Sequence, residues 1–351
     1  MISNKFRWGI LGTGNIARVF AKGIANSGNG ELFAVASRNL IDAQSFAKEF
    51  DVTVQHGSYE ALIEDPEVQV VYIALPNVLH SEWAIRAANA GKHILCEKPL
   101  AINYVEAKNI VDAAKRNNVF LMEGLTYRCH PQTAKLIELL RAKVIGDVRI
   151  IQATFSFQAD RNSNNRALSN DLGGGGILDV GCYSISMARL IAGVALNKEY
   201  AEPLEVYGAG HVGSENLIDE WAICCLKFQN DILAQVATGV YLAQENVVRI
   251  FGSEGKMFIP SPWVPGGREP GITKIFVQKR GEDKPQEIST ETKMGLYSLE
   301  ADMVANSIEM RQASVMKWED SLGNMRTLDR WRQTVGVSYK SDGPIIDRTC
   351  S

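Results

Sequence analysis

Short apolar runs alternate with amphipathic segments over residues 1–124. The apolar runs span 6–11, 31–36, 52–54, 69–74, 92–96 and 119–122, and the segments with helical spacing span 16–27, 40–50, 81–90 and 104–117. Strands that alternate with helices of this length are typical of a parallel sheet joined by right-handed crossovers. The pattern therefore predicts a doubly wound α/β domain, with any ligand beyond the carboxyl ends of its strands.

The pattern changes near residue 125. Helices are predicted at 131–143, 177–191, 297–311 and 318–335, and strands at 148–157, 204–210, 220–228, 232–240 and 246–251. Consecutive strands with short links, such as residues 229–231, favour a largely antiparallel sheet. The polar segment 160–170 and the Pro- and Gly-rich segment 260–271 are predicted loops. We expect a second α/β domain at 125–351, whose last two helices pack back on the body of the protein.

A glycine-rich turn joins the first predicted strand to the first predicted helix. Gly12 permits a tight turn, and Gly14 lacks the Cβ that would keep a pyrophosphate away from the backbone. The unpaired N–H groups at the start of the helix favour an anion at the same place. We therefore expect a dinucleotide to contact Gly12, Thr13, Gly14, Asn15 and Ile16. A plain strand-to-helix turn is the alternative.

The end of the second predicted strand bears on the choice of dinucleotide. Sites for NAD commonly place Asp or Glu here to accept hydrogen bonds from the ribose 2′-hydroxyl, whereas Arg favours a 2′-phosphate. This strand ends in Ser37 and Arg38, and the next carboxylate is Asp42. A guanidinium can hold two phosphate oxygens while the serine hydroxyl donates a third hydrogen bond. We therefore predict NADP; a solvated surface role for Arg38 is the alternative.

Composition and charge argue against several other classes of protein. The 351 residues are 46 % hydrophobic and 22 % charged with a net charge of −3, which is ordinary for a globular protein and too balanced to favour a nucleic-acid-binding surface. No apolar run reaches the roughly 18 to 20 residues that span a bilayer, and residues 1–5 precede the first strand without a signal peptide. The six cysteines and five histidines are scattered, so we expect free thiols, no metal site and a cytoplasmic location.

Polar or conformationally special residues follow the predicted strands. Leu75, Pro76, Asn77 and His80 follow strand 69–74, and Glu97 and Lys98 follow strand 92–96. Because the carboxyl ends of parallel strands meet at one edge of a sheet, we expect both groups to lie at the cofactor. A solvated surface position is the alternative for the Glu-Lys pair.

A second set of candidate catalytic residues follows the tetraglycine run 173–176. Asp179 and Tyr183 are four residues apart, so on a helix they share one face. A neutral phenol is a poor base, but it relays a proton when a cation such as Lys98 lies beside it and lowers its pKa. The same ammonium would polarise a carbonyl for hydride attack. The alternative is a core tyrosine whose hydroxyl is satisfied by Asp179.

Together these residues resemble the Gfo/Idh/MocA oxidoreductases, the group of glucose-fructose oxidoreductase and inositol dehydrogenase. The resemblance is carried by the turn 12–17, Pro76-Asn77 with His80, Glu97-Lys98-Pro99, Tyr127-Arg128 with His130-Pro131, and the run 174–183. It implies a Rossmann domain followed by an α/β domain whose open, mostly antiparallel sheet commonly forms a dimer face. It also implies Lys98, Asp179 and Tyr183 at the substrate, and it permits a cis bond before Pro99.

Two features favour the NADP branch of that family, which includes dihydrodiol dehydrogenase and NADP-dependent xylose dehydrogenase. Tyr183 stands where the inositol dehydrogenase branch has His, and Ser37-Arg38 stands where that branch often has an acidic residue. The resemblance therefore implies an oxidoreductase that takes a small carbohydrate-like substrate and forms a homodimer or a higher homo-oligomer through its second sheet.

We hypothesise an NADP(H)-dependent oxidoreductase of sugars or polyols. Tyr183 relays the hydroxyl proton, Lys98 lowers its pKa, and Asp179 positions the substrate or the tyrosine. Tyr127 and Arg166 are expected to line the substrate pocket. A glycosidase that uses bound nicotinamide for transient oxidation and a catalytically silent nucleotide sensor are alternatives, although a sensor needs neither Lys98 nor Tyr183.

Overall fold

The computed structural model describes residues 5–163 and 165–342. Asn164, in the predicted loop 160–170, and residues 343–351, which belong to the predicted second domain and include Cys350, lie outside the described residues. The other five cysteines are free thiols.

The first sheet is a six-stranded parallel sheet. Its strands are β1 (Phe6–Leu11), β2 (Gly30–Ala36), β3 (Val54–His56), β4 (Val70–Ile73), β5 (His93–Glu97) and β6 (Leu121–Gly124), in the order β3-β2-β1-β4-β5-β6. The helices between them are α1 (Asn15–Ile24), α2 (Leu40–Phe50), α3 (Tyr59–Glu64), α4 (His80–Asn89) and α5 (Tyr104–Arg116). The strand order reverses between β1 and β4, which places a ligand crevice at their carboxyl ends. The predicted doubly wound sheet is confirmed.

Two details of the first sheet differ from the prediction. The third strand begins later than predicted because Val52, just past the end of α2, still closes that helix: its N–H donates to the carbonyl of Ala47 at 2.9 Å. Helix α3 was missed, since it has only six residues; the hydroxyl of Ser58 caps it by accepting from the N–H of Ala61. Neither difference moves the carboxyl edge of the sheet.

The second sheet has eight strands and is mostly antiparallel. Its strands are β7 (Val148–Ser156), β8 (Glu205–Val212), β9 (Asp219–Lys227), β10 (Leu233–Gly239), β11 (Val248–Gly252), β12 (Gly255–Ile259), β13 (Gly271–Lys279) and β14 (Gln286–Thr292), in the order β14-β13-β12-β11-β7-β10-β9-β8. Strands β7 and β10 pair in parallel. The predicted β9–β10 hairpin is confirmed, whereas β12, β13 and β14 were missed.

Four helices complete the described chain: α6 (Pro131–Arg141), α7 (Cys182–Ala195), α8 (Leu296–Ser307) and α9 (Trp318–Val335). The last two pack on the first sheet's helices. Ser298 Oγ in α8 donates to the carbonyl of Gly23 in α1 at 2.7 Å, and the Asp329 carboxylate in α9 accepts from the N–H of Tyr104 in α5 at 2.8 Å. The boundary at residue 124 stays a prediction.

Helix α7 lies in the core of the second half of the chain and is buried along most of its length. The stretch Asn170–Ala195 is long and apolar enough to cross a membrane, but 94 % of its most apolar part is buried inside the protein. Such burial is typical of the core helix of a folded domain. The helix was predicted to begin at residue 177; instead a single π-helical turn, Ile177–Gly181, precedes it.

The second sheet leaves one face open. Along β9 the side chains of Ala222, Cys224 and Leu226 are buried, while the alternate positions Trp221 and Ile223 are 40 % and 50 % exposed. Period-two alternation of this kind is expected where one face of a sheet packs on the core. Other large apolar side chains exposed on this sheet are Ile150, Tyr207, Leu233 and Ile272.

Candidate active site

The turn after β1 leaves space for a phosphate at the start of α1. Gly12 has a φ of +102°, and a Cβ there would lie 2.7 Å from the carbonyl oxygen of Ala74. A Cβ on Gly14 would meet no described atom within 4 Å. No side chain caps α1, and its first turn holds no acidic residue, so the N–H groups of Asn15 and Ile16 suit an anion. The residues present therefore fit a dinucleotide pyrophosphate.

Ser37 and Arg38 lie at the carboxyl end of β2. The N–H of Ser37 donates to the carbonyl of His56 at 3.2 Å, and the Arg38 side chain is exposed. Burial raises the pKa of Tyr59, and the guanidinium of Arg38 beside it partly offsets that rise. The edge of the sheet thus offers a cation, which is the charge that suits a 2′-phosphate.

His80 joins the turn after β4 to the turn after β5. The ring is fully buried, with Nδ1 2.9 Å from the carbonyl oxygen of Pro99 and Nε2 2.9 Å from that of Leu75. Burial lowers the pKa of His80 to about 4, so the neutral ring donates its one N–H to one of these two carbonyls. His80 was predicted at the cofactor; its two ring nitrogens face protein carbonyls, and through them it positions the two turns.

Glu97 supports the turn that carries Lys98. Its Oε1 accepts a hydrogen bond from the hydroxyl of Tyr72 at 2.5 Å, and its Oε2 accepts from the N–H of Lys98 at 3.2 Å. Burial raises the pKa of Glu97, and the ammonium of Lys98 partly offsets the rise. The peptide bond between Lys98 and Pro99 is cis, as the resemblance implied. Glu97 therefore acts on the turn, and both of its oxygens are occupied by protein groups.

Lys98 and Asp179 meet across the two halves of the molecule. Lys98 Nζ donates to the backbone carbonyl of Asp179 at 2.6 Å and lies 3.4 Å from its Oδ1. Both side chains are only 11 % exposed. Burial alone would raise the pKa of Asp179, but Lys98 and Arg166 outweigh that effect and hold it below its ordinary value. The carboxylate therefore stays ionised and fixes the ammonium.

Arg166 donates hydrogen bonds to one residue from each half of the molecule. Its Nη2 donates to Asp179 Oδ1 at 2.9 Å, and its Nη1 donates to Asn77 Oδ1 at 3.2 Å. The amide nitrogen of Asn77 donates in turn to the carbonyl of Gly173 at 2.8 Å. Asn77 was predicted at the cofactor; both ends of its amide are engaged in this buried network. Arg166 remains partly exposed, as a residue at the wall of a pocket would be.

The π-helical turn that carries Asp179 is anchored by a buried carboxylate. Asp219 Oδ2 accepts from the N–H of Ile177 at 2.6 Å, and its Oδ1 has no partner among the described residues. Gly175, with a φ of +104°, passes so close that a Cβ would overlap Asp219. Burial raises the pKa of Asp219 to about 7. Turns of π-helix occur often at functional sites, and this one sets the position of Asp179.

Tyr183 lies beside Lys98 in an aromatic pocket. Lys98 Nζ is 5.2 Å from the centre of the Tyr183 ring, and Phe155 and Trp263 pack edge-on against that ring at 5.1 and 6.1 Å. None of the hydrogen bonds among the described residues involves the Tyr183 hydroxyl. Burial raises the pKa of Tyr183 well above its ordinary value, with Tyr297 and Glu97 adding to the rise.

This geometry corrects two expectations about the tyrosine. Lys98 was expected to lower the pKa of Tyr183, but the ammonium is engaged by Asp179 and the phenol stays protonated at neutral pH. Asp179 was also weighed as the partner of the Tyr183 hydroxyl. Its carboxylate is instead paired with Lys98 and Arg166.

Tyr127 lies behind the pocket rather than at its surface. The residue is fully buried, and its hydroxyl donates to Ser186 Oγ at 2.9 Å and accepts from Arg128 Nε at 3.1 Å. The expectation that it lines the substrate pocket is therefore corrected: Tyr127 supports Tyr183 through ring packing at 6.0 Å. The residues that were missed are Phe155 and Trp263, whose rings stack at 5.6 Å. In the sequence, the one indication of this aromatic contact was a tryptophan inside the Pro- and Gly-rich segment 260–271.

The profile described as oxidoreductase family, NAD-binding Rossmann fold, matches residues 6–125, and the C-terminal domain profile of the Gfo/Idh/MocA family matches residues 133–258. The chain belongs to the Gfo/Idh/MocA oxidoreductase family. The predicted family is thereby confirmed, and so is a Rossmann domain of the nicotinamide-dinucleotide type.

Three Gfo/Idh/MocA relatives are similar over nearly their whole length. The trans-1,2-dihydrobenzene-1,2-diol dehydrogenase of Xenopus laevis is 31 % identical, covering 95 % of this chain and 99 % of the relative. The D-xylose 1-dehydrogenase (NADP(+)) 2 of Haloferax volcanii is 29 % identical over 92 % and 95 %. The crystal structure of KijD10, a 3-ketoreductase from Actinomadura kijaniata in complex with NADP and TDP-benzene, has a TM-score of 0.84, 26 % identity, and coverage of 95 % and 98 %.

Proposed function

We propose that this Gfo/Idh/MocA oxidoreductase uses NADP(H) to interconvert an alcohol and a carbonyl on a sugar or polyol. The observation that carries the proposal is the junction of the two halves. Lys98 from the first and Asp179 from the second form a buried ion pair beside the phenol of Tyr183. Relatives that act by name on a diol and on xylose support the substrate class.

The cofactor preference rests on the edge of the first sheet. The turn at Gly14 suits a pyrophosphate, and Arg38 with Ser37 suits a 2′-phosphate where an acidic residue would suit a free hydroxyl. The NADP named for one relative and bound in KijD10 agrees with this choice. When bound, NADP(H) supplies the hydride donor or acceptor.

The side chains of the site handle the oxygen and its proton. The raised pKa of Tyr183 keeps its hydroxyl protonated, so it donates a proton to the carbonyl oxygen during reduction and is left as the phenolate. In the oxidation direction the phenolate is the form that accepts the hydroxyl proton of the alcohol. The ammonium of Lys98, fixed by Asp179, donates a hydrogen bond to the same oxygen and stabilises negative charge on it. Arg166 holds Asp179 in place and presents its remaining donors to other hydroxyls of the substrate.

A substrate screen tests this function. Aldoses, inositols, ketosugars and diols are incubated with NADP⁺, and the matching carbonyl compounds with NADPH, while the absorbance of the reduced nicotinamide is followed. We expect at least one sugar or polyol to be turned over, with a higher kcat/KM for NADP than for NAD. Cleavage of glycosides without net absorbance change would favour transient oxidation, and binding of NADP without any turnover would favour a sensor.

We also propose that two copies of the chain associate through the open face of the second sheet. Ile150, Ile223 and Leu233 are 43 %, 50 % and 46 % exposed on this sheet, and such apolar faces usually mark an interface. Ile223→Glu should convert the dimer to a monomer, because a charge would be buried at its centre. Light scattering at increasing concentration measures this, and a wild-type chain that stays monomeric contradicts the interface.

A further inference from the structure

A small cavity lies among α6, α7 and the segment that leads into α9. Its volume is about 280 Å³, close to the lower end of the roughly 300 to 1,000 Å³ of small-molecule sites. Helices α6 and α7 pack against the covered face of the second sheet, so the cavity lies on the opposite side of that sheet from its open face. Neither Lys98 nor Asp179 lines it. The cavity is therefore separate from the candidate active site and from the proposed dimer interface.

One wall of the cavity, the loop after α7, is fixed against that helix. The backbone of Tyr200 passes so close to Gly193 that a Cβ on this glycine would overlap it. The N–H of Ala201 donates to the carbonyl of Arg189 at 3.0 Å, and the guanidinium of Arg189 lies 5.2 Å from the centre of the Tyr200 ring. The shape of the cavity is thus set by the fold, which lowers the cost of ordering it around a ligand.

A buried ion pair in the wall leaves one donor unused. Asp320 Oδ2 accepts from Arg128 Nη2 at 3.0 Å, and its Oδ1 accepts from Arg189 Nη1 at 2.6 Å. The Arg128 side chain is only 4 % exposed, and its Nε and Nη2 also donate to Tyr127 and Ser186. Arg128 Nη1 donates to no described residue and is not closed off from solvent. It is therefore the nitrogen that Arg128 offers to the cavity.

The charges around the cavity favour an anion. Arg141, an exposed residue at the end of α6, lines the cavity and forms no ion pair with any residue that the structure describes. Lys317 also lines it, but its ammonium lies 2.7 Å from the carboxylate of Glu199. Asp320 is held between two guanidiniums. Because the two lining carboxylates are thus neutralised, the lining keeps a net positive charge.

The remainder of the wall is largely apolar. The residues that supply this surface are Ala134, Ile137, Leu190, Val194, Tyr200 and Val315. A carboxylate suits a guanidinium, whereas apolar side chains favour an organic body over a hydrated inorganic ion. The volume of 280 Å³ is about nine times the share of one water in the liquid, so a body about the size of a single ring fits.

We propose that this cavity is a binding site for a small organic monocarboxylate, with the carboxylate at Arg128 Nη1 and the apolar body between α6 and α7. Arg141 adds positive charge at the exposed side of the site. The ligand contacts the guanidinium that donates to the hydroxyl of Tyr127, whose ring packs against Tyr183 at 6.0 Å. The site is distinct from those of substrate and cofactor, so the inference does not depend on the proposed function.

Isothermal titration of the full chain with sodium benzoate tests the site. Benzamide is the uncharged analogue of similar shape, and acetate is the carboxylate without a ring. We expect benzoate to bind with a Kd of at most about 1 mM, and each analogue to bind at least about tenfold more weakly because it lacks one of the two interactions. The Kd for benzoate should be the same with and without saturating NADP, since the cavity lies apart from the glycine turn.

Two surface variants place the ligand. Ala134→Trp adds a ring at an exposed lining position and should abolish benzoate binding by filling the cavity. Arg141→Ala should raise the Kd for benzoate about threefold, since it removes an exposed cation beside the site. Lys135→Ala is the matched control, because Lys135 is a cation on the same helix that does not line the cavity. It should leave the Kd unchanged.

Four results would overturn the inference: no binding of benzoate, equal binding of benzoate and benzamide, undiminished binding in Ala134→Trp, or competition between benzoate and NADP. Acetate that binds as tightly as benzoate would indicate a plain anion site and would contradict the class of ligand. Each of these results leaves the proposed function standing, because none of them involves turnover of a sugar or polyol.

Discussion

The two walls of the candidate site are built in different ways. The wall from the first sheet consists mainly of backbone: a glycine turn, the start of α1, and a single exposed cation at Arg38. The wall from the second domain consists of side chains that hold one another, with Asp179 paired to two cations and Tyr183 packed among aromatic rings. The first wall is suited to holding a dinucleotide of fixed shape, and the second to selecting a substrate and moving a proton.

Lys98 is the residue that joins the walls, so its loss should have the largest effect. Lys98→Ala removes the ammonium that stabilises charge on the substrate oxygen and leaves Asp179 with one cation. We expect kcat/KM to fall by about 10³-fold or more, with NADP affinity changed less than about threefold. Steady-state kinetics and titration of cofactor fluorescence measure the two quantities. Lys108→Ala, an exposed lysine on α5, is the control; a comparable loss there would remove the special role of Lys98.

Replacing Tyr183 tests whether a side chain of the second wall relays the proton. Tyr183→Phe keeps the ring contacts with Phe155 and Trp263 but deletes the hydroxyl. Turnover should fall by about 10²-fold to 10³-fold while NADP affinity holds. Because the pKa of Tyr183 is raised, the wild-type rate of carbonyl reduction should not decline through loss of its proton between neutral pH and pH values near the ordinary pKa of a phenol, about 10. Unchanged turnover in the variant would exclude Tyr183 as the proton relay.

Replacing Arg38 tests whether the first wall selects NADP over NAD. Arg38→Ala removes the cation expected at the 2′-phosphate, so the Kd for NADP should rise by about 10-fold to 100-fold, the range of a charge-assisted hydrogen-bond pair. The Kd for NAD should change by less than about threefold. Isothermal titration with both dinucleotides measures the difference. Equal weakening of the two would show that Arg38 does not discriminate between them.

Replacing Asp219 tests whether its buried carboxyl group anchors the second wall. Of the four substitutions, this one has the smallest expected effect. Its pKa is about 7 in the folded protein against an ordinary value of 3.8, so the folded state holds a proton that the unfolded state releases between these values. The free energy of unfolding contributed by this group therefore falls as pH rises from 4 to 7. Asp219→Asn should remove at least about 1 kcal/mol of that decline. Urea titrations of both proteins measure it, and parallel pH curves would contradict the buried protonated carboxyl.

The same contrast explains what the sequence could predict. The first wall was predictable because strand, turn and helix are adjacent in the chain, and Gly12, Gly14 and Arg38 lie at strand ends that the alternating pattern locates. Placing Asp179 and Lys98 in one site needed the family resemblance, since 81 positions separate them, and their ion pair was not predicted. The hydrogen bonds of Asn77 and His80 to distant carbonyls have no local signature in the sequence, so the structural roles of these two side chains were not predicted.

The missed features are also non-local. On β13 the exposed Ile272 alternates with the buried Thr273, and on β12 Phe258 lies between two buried apolar residues, so the period-two pattern of these strands is weak in the chain alone. Phe155 and Trp263 meet at 5.6 Å although one lies on β7 and the other in a predicted loop. The position of Asp179 depends on a π-helical turn and on Asp219, which no helical-spacing argument anticipates.

A crystal structure of the enzyme with NADP and a polyol bound would test the joining of the two walls most directly. The quantity to measure is the distance from the reactive hydroxyl oxygen of the polyol to Lys98 Nζ and to Tyr183 Oη. We expect both distances to be at most about 3.2 Å, the reach of a hydrogen bond, with Asp179 still paired to Lys98. A polyol whose reactive oxygen contacts neither group would contradict the proposed roles of both residues.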